Sequence, residues 1–156
     1  MPMAANRTCG PCTLCCKLLA VYEIEKPPNE WCNHCSTKAG CAIYESRPQS
    51  CREFRCLWLR GVGPDELRPD RSKVVMNASA DQRSMVLHVD PTRPDAWRSG
   101  IFKFVLDRME TSFVVCGDRR FMIRGGQAVM PNGRPKRRAT TTATTRNVGT
   151  AARRPK

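Results

Sequence analysis

The sequence contains few aromatic residues and no long apolar run. Aromatic side chains make up 6% of its 156 residues, against 40% hydrophobic and 26% charged residues, a balance typical of a soluble protein. No stretch approaches the roughly 20 apolar residues that cross a bilayer. The first eight residues contain no apolar segment of the kind that marks a secretory signal. We therefore expect a cytoplasmic protein with no membrane partner.

The usual marks of a catalytic or cofactor-binding site are also missing. No serine or cysteine has an evident partner that would make it a nucleophile. The pair Gly61-x-Gly63 runs directly into Pro64 and follows a predicted helix, which is the wrong context for a nucleotide-binding glycine loop. These patterns assign no catalytic residue and no cofactor-binding residue, and they leave open whether the chain is an enzyme.

Cysteine, in contrast, is abundant and concentrated in the first third of the chain. Only Cys116 lies outside this region, in an apolar segment where we expect a small buried hydrophobic residue. Disulfides do not persist in a reducing cytosol, so the pattern favours metal binding, although export would restore the disulfide alternative. The nine candidate metal ligands are Cys9, Cys12, Cys15, Cys16, Cys32, Cys35, Cys41, Cys51 and Cys56.

The spacing of these cysteines suits thiolate ligands. A Cys-x2-Cys step occurs at Cys9/Cys12 and again at Cys32/Cys35, and each step places two sulfur atoms on one tight turn, at a separation that a tetrahedral ion accepts. Nine thiols are enough for two closed four-thiolate zinc sites with one left over. An iron–sulfur cluster is the alternative, because Cys9, Cys12 and Cys15 repeat the first three ligands of a Cys-x2-Cys-x2-Cys pattern.

The positions of individual residues in the cysteine-rich region indicate which of them contact a metal centre. Neighbouring side chains diverge, so Cys15 and Cys16 are expected to serve two centres, or one a centre and the other the core. His34 lies between two cysteines, and we expect its ring to point away from the site. We expect Arg47, Arg52 and Arg55 to offset the negative charge of the thiolates. For Arg47 and Arg55 the alternative is that they are simply solvated.

Two segments of this region resemble a known family. Residues 9–16 (Cys-Gly-Pro-Cys-Thr-Leu-Cys-Cys) and residues 40–58, with cysteines at positions 41, 51 and 56, are similar to the CxxCxxCC, or YkgJ-like, family of zinc- or iron-chelating proteins. The resemblance covers about residues 9–60. It implies a metal or cluster site formed by the seven matching cysteines, with Cys32 and Cys35 as further members. The seven are Cys9, Cys12, Cys15, Cys16, Cys41, Cys51 and Cys56.

Some larger members of that family resemble flagellin lysine N-methylases, which use S-adenosylmethionine and an iron–sulfur cluster. This chain is much shorter than those enzymes and has no glycine-rich cofactor loop. An iron–sulfur redox or methyl-transfer enzyme is therefore an alternative function and not the expectation.

The sequence after the cysteines predicts an α+β fold. Short runs of strand-forming residues predict two hairpins. They are residues 73–77 with 85–89, and 113–116 with 121–123. Between the hairpins, apolar residues at helical spacing predict one helix from Pro94 to about Met109. We expect an antiparallel sheet with this helix packed on it, joined to a cysteine-rich module with a strand over 17–26 and a helix from Pro48 to about Gly61.

The end of the chain is strongly basic. The net charge is +13, but residues 131–156 contain eight Lys/Arg and no acidic residue, which leaves 19 basic and 14 acidic groups in residues 1–130. We expect residues 1–130 to form a single domain and 131–156 to be a disordered tail. Clustered cations bind phosphate by releasing counterions, so weak nucleic-acid contact through the tail, or a zinc-dependent nucleic-acid-binding module, is a further alternative.

Overall fold

The computed structural model of the protein describes residues 7–79, 81–125 and 127–129. These residues combine short helices with a five-stranded sheet, which confirms the predicted α+β class. The segment 131–156, predicted to be a disordered tail, lies outside the described residues. None of the described helices is long and apolar enough to span a membrane.

The helical elements are short. They are α1 (Leu14–Leu18), a 3-10 helix (Tyr22–Ile24), α2 (Gln49–Glu53), a 3-10 helix (Asp65–Leu67), α3 (Pro69–Ser72), 3-10 helices (Ala96–Arg98 and Gly100–Phe102) and α4 (Lys103–Leu106). The strands are β1 (Cys35–Ser36), β2 (Gly40–Cys41), β3 (Val74–Ala78), β4 (Ser84–Val89), β5 (Thr111–Cys116), β6 (Arg119–Arg124) and β7 (Gln127–Val129).

Both predicted hairpins are confirmed, as β3/β4 and β5/β6. The sheet has the order β3-β4-β5-β6-β7, and β4 and β5 run parallel. The sheet is therefore mixed, where a wholly antiparallel sheet was predicted. Parallel neighbours need a crossover connection, and residues 90–110 provide it with two 3-10 helices and α4.

The prediction of one continuous helix from Pro94 to Met109 is wrong. The backbone is extended at Ser99, where ψ is 142°, and this residue divides the segment into two 3-10 helices before α4 begins. The apolar spacing nevertheless identified buried positions, because Trp97 and Val105 both lie in the core.

The cysteine-rich module also differs from its prediction. The predicted strand over 17–26 is instead the end of α1 followed by a 3-10 helix, with a tight turn that pairs Val21 with Lys26. The predicted helix from Pro48 to Gly61 ends at Glu53. Beyond it the chain extends so that the backbone N–H of Leu57 donates to the carbonyl of Met76 on β3, at 2.9 Å.

One hydrophobic core joins the module to the sheet. Leu14 and Leu18 of α1 are buried together with Leu57 and Trp58 against the strands and the crossover. Burial of an apolar side chain of this size contributes about 1.5–3 kcal/mol. The cysteines on α1 are therefore held at a fixed position relative to the sheet.

Candidate metal centre

The first Cys-x2-Cys step is anchored by Arg7. Its guanidinium donates to the carbonyls of Trp58 (2.8 Å) and Gly63 (2.7 Å) and lies 4.8 Å from the centroid of the Trp58 ring. The N–H of Cys12 donates to the carbonyl of Cys9 at 2.9 Å, which closes the expected tight turn. These contacts hold Cys9 and Cys12 beside the segment that carries Cys56.

The second Cys-x2-Cys step is attached to α1. The N–H of Cys32 donates to the carbonyl of Cys16 (3.0 Å), and the N–H of Cys35 donates to the carbonyl of Cys32 (2.9 Å). In the short β1/β2 ladder, Cys35 lies directly opposite Cys41. Side chains at directly opposite positions of an antiparallel pair project to the same face, so Cys41 joins this group.

Cys16 lies at the centre of the thiol group. A hydrogen bond with Cys15 and burial raise the pKa of the Cys16 thiol, while the neighbouring Cys35 thiol acts on it in the opposite direction. Burial and the neighbouring Cys16 raise the pKa of Cys35 to about 11. Burial likewise raises the pKa of Cys51, with smaller contributions from nearby Cys16 and Cys32.

Cys9, Cys12 and Cys56 form the other end of the group. Burial raises the pKa of each thiol. Cys56 is close enough to Cys9 and to Cys12 for their charges to interact, and Cys9 interacts in the same way with Cys16. Through these neighbours eight of the predicted ligands form one connected group of thiols, and the β1/β2 register places Cys41 opposite Cys35 of that group. We call these nine cysteines the thiol cluster.

Two arginines lie beside the thiol cluster. Arg47 and Arg55 act on Cys9 in the direction that lowers its pKa, against the larger effect of burial. Of the two alternatives left by the sequence, this proximity favours charge compensation over simple solvation. His34 is exposed, although the two cysteines next to it in the Cys-x2-Cys step belong to the cluster.

All ten cysteines lie within the described residues, and all ten are free. Cys116 is 6% exposed and lies at the end of β5, where its charged neighbours are Arg119, Asp90 and Asp95. The expectation of a buried residue outside the site is therefore confirmed for Cys116. Its burial and separation make it a natural control for the thiol cluster.

The thiols are neighbours, but they are not arranged as a ready-made site. Within the part of the chain that the structure describes, no three side chains of histidine, cysteine, aspartate or glutamate are grouped so that they could hold a metal ion. Ligation would therefore require several thiols to turn toward a common point.

Lys26 is a member of the site that sequence reasoning missed. It is 6% exposed, and its ammonium donates to the carbonyls of Lys17, at 2.9 Å, and Leu19. Burial lowers the pKa of Lys26, while nearby Cys32, Cys16 and Cys15 act in the opposite direction. No sequence signal marks this lysine, because a charged residue before two prolines is typical of a solvated loop.

Comparisons with protein-family descriptions, with curated proteins and with solved structures find no match for this chain. The interpretation of the site therefore depends on the chemistry and positions of the residues themselves.

Proposed function

We propose that the protein binds a metal through its thiol cluster, either as zinc held by thiolates or as an iron or iron–sulfur centre. The observation that carries the proposal is the proximity of free thiols from separate segments of the chain between Cys9 and Cys56. Soft thiolate donors suit zinc and iron–sulfur clusters better than magnesium or calcium.

The electrostatics of the cluster support this proposal. The pKa of the Cys16 thiol is raised by a hydrogen bond with Cys15, by burial and by the charge of Cys15, and the pKa of Cys35 is raised by burial and then by the charge of Cys16. Burial and mutual repulsion therefore both oppose ionisation of these thiols. A cation at the centre of the group would replace the thiol protons and remove that repulsion. Lys26, Arg47 and Arg55 would compensate part of the negative charge that a four-thiolate site retains.

The short elements of the module fit a site that is completed by its metal. β1 and β2 have two residues each, and α1 and α2 have five each. Elements of this length have little stability of their own. Ligand binding energy commonly contributes directly to the folding of such small metal modules.

The number of cysteines also bears on the cellular compartment of the protein. Free thiols in this number persist in a reducing environment, and we therefore place the protein in the cytoplasm.

Metal analysis of the full chain purified without oxygen tests the proposal. Colourless protein with about two zinc ions per chain is expected for closed tetrahedral sites, and brown protein containing sulfide is expected for a cluster. Less than about a tenth of an equivalent of either metal, in protein whose thiols are shown to be reduced, would refute metal binding.

A pair of variants shows whether the thiol cluster is the site. Cys16→Ser removes the thiol that neighbours Cys15, Cys35 and Cys51, and we expect it to lose at least about one equivalent of metal. Cys116→Ser removes a buried thiol outside the cluster and should retain the full amount. Equal metal content in the two variants would contradict the assignment.

A further inference from the structure

The five-stranded sheet has a second face that points away from the core. Alternate residues of β4 and β5, such as Leu87 and Val114, are fully buried, and the residues between them point to the other side. Phe113, at the middle of the central strand β5, is 37% exposed on this second side. An aromatic ring at that position is available to a partner.

The strand register places an apolar row across this face. Val86 of β4 is opposite Phe113, Phe113 is opposite Met122 of β6, and Met122 is opposite Val129 of β7. Val86, Met122 and Val129 are half-buried. The row forms a shallow platform with Phe113 as its most exposed large side chain.

Two arginines flank Phe113 on the neighbouring strand. Arg120 and Arg124 are two residues either side of Met122, opposite Val115 and Thr111. They therefore occupy the diagonal positions around Phe113, which are about 7–8 Å away in a regular sheet. Both are exposed, and within the described residues neither forms an ion pair with a carboxylate.

The charged side chains on the five strands are all basic. None of the five strands contains an aspartate or a glutamate. The segment that follows β7 in the sequence adds eight Lys/Arg and no acidic residue. This charge favours an anionic partner for the face, and the central aromatic ring favours a partner that can also stack.

We propose that this face binds single-stranded nucleic acid, with a base stacked on Phe113 and phosphates contacted by Arg120 and Arg124. Unpaired bases stack on exposed aromatic side chains of sheets, while arginines follow the phosphate backbone. An acidic peptide would satisfy the arginines but would make no specific use of the ring. This site is separate from the thiol cluster, and it is distinct from contact through the basic tail alone.

The binding of a fluorescently labelled uridine oligonucleotide of about 12 nucleotides, a length within the site sizes of single-strand binders, tests the proposal. The full chain is used throughout, so that the contribution of the tail is constant. Phe113→Ala should weaken binding about 5-fold or more, the effect of losing one stacked base. Phe113→Leu retains an apolar side chain and should also weaken binding, which separates lost stacking from a folding defect. Tyr22→Ala removes a ring that is 88% exposed in the cysteine module and should leave binding unchanged.

Salt dependence tests the two arginines. The double variant Arg120→Gln/Arg124→Gln should reduce the slope of log affinity against log salt by about 1.4, the value for two lost phosphate contacts on a single strand. The control Arg71→Gln/Arg93→Gln makes the same change in net charge at exposed positions outside the sheet and should alter the slope much less.

Two results would overturn the proposal. One is equal affinity of Phe113→Ala, Tyr22→Ala and the unmodified chain, which would assign any binding to non-specific charge. The other is tighter binding of a labelled glutamate-rich peptide than of the oligonucleotide, with a loss in the arginine double variant, which would identify the face as a site for acidic protein segments.

Discussion

Replacement of Asp90 by asparagine tests how the cysteine module is joined to the sheet. The Lys17 ammonium on α1 lies 2.8 Å from Asp90 Oδ1 at the end of β4, and the two side chains are 16% and 6% exposed. Asp90 also accepts hydrogen bonds from the N–H (3.0 Å) and the hydroxyl (2.9 Å) of Thr92. Asp90→Asn keeps the shape of the side chain and removes its charge.

The expected cost follows from the burial of the pair. Removal of one partner from a buried ion pair costs about 3–5 kcal/mol, because the other charge is left without compensation. Lys17 is partly exposed, and asparagine can still accept from Thr92, so we expect a lower cost of about 2–4 kcal/mol. At about 4 °C per kcal/mol for a domain of this size, Tm should fall by about 8–16 °C.

The pH dependence of this cost has a definite sign. Burial alone would raise the pKa of Asp90, but hydrogen bonds from Lys17 and Thr92 outweigh it and hold the pKa below its usual value. A carboxyl group with a lowered pKa stabilises the fold above its unfolded pKa, near 3.9, and loses this contribution as the pH falls through the folded pKa. The difference between the unmodified chain and Asp90→Asn should therefore be complete at neutral pH and shrink below about pH 4.

Thermal and urea unfolding followed by circular dichroism measure the effect. The matched control is Asp107→Asn, which breaks an ion pair with Lys103 whose side chains are 44% and 75% exposed, and which should cost less than about 1 kcal/mol. A double-mutant cycle with Lys17→Met should give a coupling energy of about 1 kcal/mol or more. Equal effects of Asp90→Asn and Asp107→Asn, or additive effects of Asp90→Asn and Lys17→Met, would refute the reasoning.

Three further predictions concern the backbone, a buried lysine and the metal. Gly63→Ala should destabilise the fold by about 2 kcal/mol or more in urea unfolding, because φ is +78° and the new Cβ would lie 2.4 Å from Leu67 and 2.9 Å from Phe104. The control Gly100→Ala places its Cβ in open space and should cost less than about 1 kcal/mol in the same measurement. Lys26→Met should cost about 1–3 kcal/mol because it leaves two carbonyls without their donor, and a more stable variant in urea unfolding would contradict this role. Addition of zinc to the reduced, metal-free chain should release protons and bind more tightly as the pH rises, because ligation must displace thiol protons; a pH-stat titration without proton release would exclude thiolate ligation.

The hairpins could be predicted from the sequence because their signal is local. In β4, the buried Met85, Leu87 and Val89 alternate with less buried residues, and alternation of this kind indicates a strand with one face in the core. The Cys-x2-Cys turns are local for the same reason, and both contain the expected backbone hydrogen bond.

The parts that could not be predicted depend on contacts between distant residues. Leu57 leaves the predicted helix because its N–H pairs with Met76, nineteen positions away. Lys26 is buried because two carbonyls and several thiols surround it after folding. Neither contact leaves a periodic pattern in the sequence, and short elements are the most easily redirected by such contacts.

The hydrogen bond from Leu57 to Met76 has a consequence for the state of the protein outside its native fold. β3 is an outer strand of the sheet, and Val74, Val75 and Met76 are at most 1% exposed. Detachment of the preceding segment would uncover an apolar strand with unpaired backbone groups, which is a template for pairing between chains. Conditions that detach the segment carrying Leu57 from β3 should therefore produce aggregates before the rest of the sheet unfolds.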